Sequence, residues 1–277
     1  MASTRDRATA GMWDATWIQG IVDPPDEADN EQVDPAGPER VGTRREDRPA
    51  VKLPPMRHRW NLTPQAAIRL QKRLAAEVVH TPLVRPPRFV AGGDVAFFDG
   101  GRQLVAAWVV WDVEARDIVE AATDVRAVAF PYVPGLLSFR EAPALLAAAR
   151  RLRAEPDVFM LDGQGLAHPR RLGLACHVGL LLDRPSLGCA KSRLCGEHDE
   201  PARRRGASRR LTDRGETLGR VVRTRAGVKP LFISVGHRIT LDDAVRLTLR
   251  CCTKYRLPEP TRLAHRLVTR LRAAGAA

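Results

Sequence analysis

Paired cysteines, a secretory signal and long apolar runs are all missing from this 277-residue chain. Its five cysteines, Cys176, Cys189, Cys195, Cys251 and Cys252, form no CxxC pair and match none of the usual zinc spacings. That excludes a zinc ribbon or finger and a disulfide scaffold. The odd count and the absence of a recognisable signal peptide point to a reduced, cytoplasmic compartment. No apolar run reaches the roughly 18–20 residues that span a bilayer, so no membrane helix is expected. Tyrosine is scarce as well, with two in the whole chain.

Positive charge is abundant. The formal charge is +13 and the pI about 10.6, on otherwise ordinary globular composition. The first fifty residues run against this trend, with 11 acidic and 6 basic side chains. Residues 51–277 therefore carry 39 basic and 21 acidic groups, a net +18. A body that basic suits polyanions, most simply nucleic acid. High solubility in an Arg-rich protein reads the same charge without a partner.

The chain divides into an acidic, aperiodic extension over residues 1–50, expected to be disordered, and a single domain over 51–277. Trp13 and Trp17, four apart, have the spacing of one helical turn. Order is expected from Thr63-Pro64, an N-cap followed by proline at the first helical position. Strand patterns follow at Phe89–Phe98, Leu104–Trp111 and Ile118–Val128, separated by short polar breaks that read as hairpins. A helix is expected from Ser138 to about Ala154, then a strand ending at Asp162 and a helix over about Arg171–Leu182. Strands are expected near Ser186–Ala190, Leu218–Thr224 and Leu231–Val235, and helices near Leu241–Thr253 and Pro260–Arg272. Residues 195–215, polar and Arg-rich, read as an exposed loop. This order implies an α/β fold, a mixed sheet that begins as a meander and carries helices on its faces.

Within that frame, Asp162 closes the apolar run Val158-Phe159-Met160-Leu161 and leads into Gly163-Gln164-Gly165-Leu166-Ala167-His168. A carboxylate at the end of a buried strand, beside glycines, is poor core material. It suits a metal site that a phosphate backbone can approach closely. Asp94 lies inside the first strand, in Gly92-Gly93-Asp94-Val95-Ala96. It is either neutralised by a cation or exposed on an alternating edge strand. Glu141 completes Ser138-Phe139-Arg140-Glu141, which matches a capping box; its helix also leads directly into the Asp162 strand. Pro131-Tyr132-Val133-Pro134-Gly135 is a stiff turn with an aromatic tip, either packed inward or standing out as a wedge where a base is extruded. Lys191 and His237 follow strand ends, where α/β sheets usually place sites, and His265 falls on the last helix.

Taken together, these residues resemble the endonuclease V family. The resemblance runs from about Arg57 to Leu271. It is carried by Gly93-Asp94-Val95-Ala96, by Phe130 through Glu141, and by Asp162 through Arg170. Further along come Gly188-Cys189-Ala190-Lys191-Ser192, Ser234-Val235-Gly236-His237-Arg238 and Leu257 through His265. It implies an RNase H-like fold, an antiparallel three-strand meander extended by parallel strands, with helices on both faces. It also implies a Mg²⁺-dependent endonuclease, Mn²⁺ substituting, that acts on deaminated bases, hypoxanthine above all, and cuts on the 3′ side of the lesion. Asp94, Glu141 and Asp162 correspond to the metal ligands, Lys191 to the active-site lysine and Tyr132 to the wedge. Gly135, Arg140, Gly165, His168, His237 and His265 fall among the substrate contacts, with Gly135 and Gly165 letting backbone approach a flipped base. Cys176 and Cys189 stand where relatives often carry serine and an aliphatic residue. The expected partner is DNA bearing deaminated bases, and a monomer is expected. Two alternatives remain at this level: an endoribonuclease specific for inosine in RNA, and a non-catalytic binder.

Overall fold

A computed structural model describes residues 12–13 and 53–275 of the chain. A short strand, β1 (Met12–Trp13), pairs antiparallel with Ala121 and Ala122 at one edge of the sheet. Those two residues are therefore strand rather than part of a helical turn. Trp17 and the rest of the first fifty lie outside the described residues, and so does their expected disorder.

Helix α1 (Pro64–Ala75) starts as its sequence requires, with the Thr63 hydroxyl accepting from the Ala66 N–H at 3.3 Å and Pro64 in the first turn. The meander follows: β2 (Phe89–Phe98), β3 (Gln103–Asp112) and β4 (Asp117–Ala127), antiparallel from Phe89↔Asp112 onward. Every position of β3 after the first is buried. A strand covered on both faces reads as one continuous apolar run, which is how Leu104–Trp111 looks.

Helix α2 (Leu137–Ala149) then leads to β5 (Val158–Leu161), which lies parallel to β2. Helix α3 (Leu174–Leu182) leads to β6 (Ser186–Ala190), parallel to β5. The chain finishes with β7 (Ser208–Asp213), β8 (Glu216–Val222), β9 (Leu231–His237), α4 (Leu241–Cys251) and α5 (Glu259–Ala273). Among the described residues, nine strands form one sheet in the order β1-β4-β3-β2-β5-β6-β9-β8-β7. Residues 195–215 are thus not wholly loop, since β7 pairs antiparallel with β8. Of its six residues only Leu211 is buried, so this charged edge strand shows no apolar alternation.

Helices cover both faces. Ala142, Leu145, Leu174 and Val178 of α2 and α3 pack on Trp108, Phe159 and Leu161, while α1 packs against α2 and α3. On the other face, Leu263, Leu267 and Val268 of α5 pack on Val90, Val105 and Val109, and Leu247 of α4 joins the same core over β8 and β9. Two close contacts set the helices against the centre of the sheet. The buried Trp108 indole donates to the Leu145 carbonyl at 2.7 Å, fixing α2. Opposite, a Cβ on Gly92 would sit 2.0 Å from the Pro260 carbonyl carbon, so α5 begins directly on the β2 backbone.

Gly92→Ala should therefore push α5 off the strand. Overpacking of this kind costs roughly 1–3 kcal/mol, at about 2–4 °C of Tm per kcal/mol for a chain of this size. Thermal denaturation followed by circular dichroism checks it; an unchanged Tm would mean that α5 is not seated on Gly92.

Candidate active site

The parallel pairing of β2 with β5 places Gly93 opposite Leu161, so Asp94 and Asp162 are neighbours one step further on. The Asp162 N–H donates to the Gly93 carbonyl at 3.1 Å, extending that pairing into the loop. Asp94 points to the α5 face, where His265 Nδ1 lies 2.7 Å from its Oδ2. Ligand atoms of Asp94, Asp162 and His265 all lie within 4.8 Å of one another, a group able to hold a metal ion. Lys191, just past β6, brings Nζ to 2.5 Å from Asp162 Oδ2.

Glu141, on α2, lies near enough to feel the charge of both aspartates but outside the group whose ligand atoms fall within 4.8 Å of one another. It is not paired with Ser138 in a capping box: the helix starts at Leu137 behind Leu136, with no side-chain cap. The Ser138 hydroxyl is bonded instead to His177 Nδ1 at 3.0 Å. Glu141 is buried, and burial, followed by the charges of Asp94 and Asp162, pushes its carboxyl up to about 8. Asp162 is also raised, first by burial and then by Asp94, with Lys191 and His265 opposing. Buried carboxylates raised by acidic neighbours form a site that favours a cation.

His265 was expected as a substrate contact, yet it stands in the donor group. A lone histidine on a helix carries no signal for this. The structural reason is the start of α5, where Arg262 and Glu259 pair at 2.7 Å and the helix sits on Gly92.

Tyr132 does not pack inward; it is 70% exposed. The Arg140 guanidinium lies 4.6 Å from the Phe97 ring centroid and 5.6 Å from that of Tyr132. Gly135 has φ +78°, and its carbonyl accepts from Arg170 Nη2 at 2.7 Å and from His168 Nε2 at 3.1 Å. His168 is buried, and burial, then the Arg170 charge, pushes it down to about 4. Its neutral ring is a structural link between two loops. Gly165 lacks a side chain for an internal reason: a Cβ there would lie 2.0 Å from the Val235 carbonyl oxygen. That close approach is to the β9 backbone.

His237 stands apart from this group. Strand β9 runs antiparallel to β6 and pairs His237 with Ser186, at the end of β6 away from Lys191. There Nδ1 accepts from the Val79 N–H at 3.2 Å and Nε2 faces Asp183 at 3.4 Å. The spacing shows a residue at a strand end without revealing which end of the sheet it occupies.

Glu141 has an ordinary value of 4.5 and a folded value raised to about 8. Its stabilising contribution is therefore complete below about 4.5 and is lost as pH rises through about 8. In chelator-treated protein, Tm should fall between about pH 5 and 8 more steeply for wild type than for Glu141→Gln. Parallel Tm profiles would show that the carboxyl is not perturbed.

The family model described as Endonuclease V matches residues 72–266. An endonuclease V from Gloeobacter violaceus is 50% identical over 220 residues, covering 78% of this chain and 89% of the relative. The crystal structure of the endonuclease V from Streptomyces avermitilis superposes with a TM-score of 0.75 at 43% identity, covering 79% of this chain and 96% of that one. An endonuclease V variant from Ciona intestinalis, solved in complex with a 23mer DNA containing an inosine followed by a ribo-adenosine, gives a TM-score of 0.66 at 25% identity. It covers 77% of this chain and 99% of that one. Sequence, RNase H-like sheet and helix placement agree, and the chain belongs to the endonuclease V family.

Proposed function

We propose that this chain is a divalent-metal-dependent endonuclease that recognises hypoxanthine in DNA and hydrolyses a phosphodiester on the 3′ side of the lesion. The observation that carries the reading is the group between the middle of β2 and the end of β5, where Asp94, Asp162 and His265 converge and Glu141 is raised by burial and then by both aspartates. Asp94, Glu141 and Asp162 would hold the ion, and oxygen donors select hard Mg²⁺, or Mn²⁺, over zinc. Such an ion supplies charge neutralisation on the phosphoryl oxygens and an activated water. His265, bonded to Asp94, orients that carboxylate. Lys191 holds Asp162 in place and presents its ammonium to the developing charge on phosphate.

Tyr132, exposed at the tip of its loop, fills the gap that an extruded base leaves in the duplex. The net +18 of residues 51–277 supports a polyanionic partner. The Ciona relative's complex with inosine-containing DNA supports the lesion, and its ribo-adenosine favours inosine-containing RNA as the second reading. Competition between matched DNA and RNA substrates separates the two. We take residues 51–277 as the catalytic unit, with residues 1–50 an extension to it. Five free cysteines support a reducing, cytoplasmic setting, and among the described residues no helix is long and apolar enough to cross a membrane.

The direct test is nicking of labelled duplexes that contain hypoxanthine, uracil, an abasic site or no lesion, with and without Mg²⁺. Asp94→Ala and Asp162→Ala should abolish cleavage while lesion binding survives, because phosphate meets a more positive groove. Cleavage at more than about a tenth of the wild-type rate, roughly 1.4 kcal/mol of barrier, would remove them from the ligand set.

Tyr132→Ala should weaken binding and cleavage of the hypoxanthine duplex by roughly 1–3 kcal/mol, the scale of one base–aromatic stack. Tyr132→Phe should be nearly silent, and the loss should shrink on a single strand. Equal losses on duplex and single strand, with a falling Tm, would show that the ring is ordinary packing.

A further inference from the structure

The loop that carries Tyr132 is held more firmly than an exposed tip requires. Pro131, Tyr132 and Pro134 face solvent, yet the carbonyl at the loop's far end, on Gly135, meets three donors. Two are Arg170 and His168; the third is Gln71 of α1, whose Nε2 donates at 3.0 Å. The same amide nitrogen donates to the Leu172 carbonyl at 2.8 Å, and Gln71 Oε1 accepts from Arg170 Nε at 2.5 Å. One side chain thus joins α1, the Tyr132 loop and the segment that follows Asp162. A Cβ on Gly135 would lie 2.5 Å from Arg170 Nη2, so a side chain there would displace the guanidinium from this junction.

Gln71 is only 1% exposed and shares its helix face with Ala67 and Leu74, both fully buried. An apolar residue would fill such a position without the cost of burying an amide. What the amide adds is direction: both N–H donors and one acceptor site are used, each on a different backbone or side-chain group. Such a network fixes the geometry of its partners as well as stabilising them.

We propose that Gln71 is a positioning residue for lesion recognition: it ties the Tyr132 loop to the segment leaving Asp162, so that the ring and the carboxylate group keep one spacing. The proposal rests on the reading of Tyr132 as a wedge. Gln71 touches neither substrate nor metal; it acts through the loop. Without it, Gly135 keeps two donors but loses its hydrogen bond to α1, leaving the apolar contacts of Phe130, Val133 and Leu136, and the ring samples positions that do not fill the duplex gap.

The test uses Gln71→Met, which keeps length and apolar bulk but neither donates nor accepts comparably. Steady-state cleavage of a hypoxanthine duplex and of the matching single strand is compared for wild type, Q71M, Y132A and the double variant. Q71M should raise KM for the duplex about tenfold, the scale of one or two buried hydrogen bonds lost. Single-strand cleavage and kcat at saturating duplex should stay within about twofold. The double variant should be no worse than Y132A alone, because both changes act through one ring.

Losses that multiply in the double variant, or that fall equally on duplex and single strand, would make Gln71 ordinary core. A harmful Y132A beside a silent Q71M would reject the positioning role alone. A Y132A that leaves duplex cleavage intact would reject the wedge reading itself. Should Q71M fold poorly, Q71E retains length and the bond from Arg170 but cannot donate to Gly135, and the same comparison applies.

Discussion

Repulsion among Asp94, Glu141 and Asp162 is the constraint that shapes this molecule. Burying one carboxylate is costly, and burying several side by side is more so, which is why Glu141 is raised to about 8. Left to relax, such groups would turn toward solvent or draw in protons. Rigid neighbours prevent that: the parallel pairing of β2 and β5, the Trp108–Leu145 bond beneath α2, and the seat of α5 on Gly92. Lys191 offsets part of the charge without removing it, and His265 is bonded to Asp94. The result is a site whose resting electrostatics favour a cation.

An acidic cluster repels a polyanion, so the surface that brings nucleic acid in must outweigh it. Residues 51–277 carry that excess, and its effect weakens with salt while the buried cluster is little screened. Affinity and chemistry are thus supplied by opposite charges in different parts of the protein.

The histidines divide in the same way. His168 and His177 are buried and pushed down to about 4 and about 3, so both stay neutral and act as connectors. His168 links its loop to the Gly135 carbonyl, and His177 bridges Ser138 and His58, with Nε2 atoms 2.9 Å apart. His265 is the one that stands among the carboxylates. Type and order along the chain do not distinguish these roles. Burial and partners do.

Local physics made much of this legible in the amino-acid sequence. Strand β2 and β6 limits agree with the pattern of apolar residues, Thr63 caps α1, Asp94 and Asp162 stand out as carboxylates that interrupt or close apolar runs, Lys191 follows a strand end, and Tyr132 tips a proline-bracketed turn. Edge strand β7 was not legible, because solvent on both sides removes the alternation that marks a strand. The Ser138–Glu141 spacing suggested a cap, but the N-cap is Leu136, two residues earlier, and the Ser138 hydroxyl is bonded to His177. His237 and His265 look alike in sequence, yet the antiparallel run of β9 carries one away from Lys191 and the Gly92–Pro260 contact brings the other to Asp94. Residue type and spacing report what a segment prefers on its own. Strand direction and helix seating arise from contacts between segments far apart in the chain, and those alone decided which preferences meet at the site.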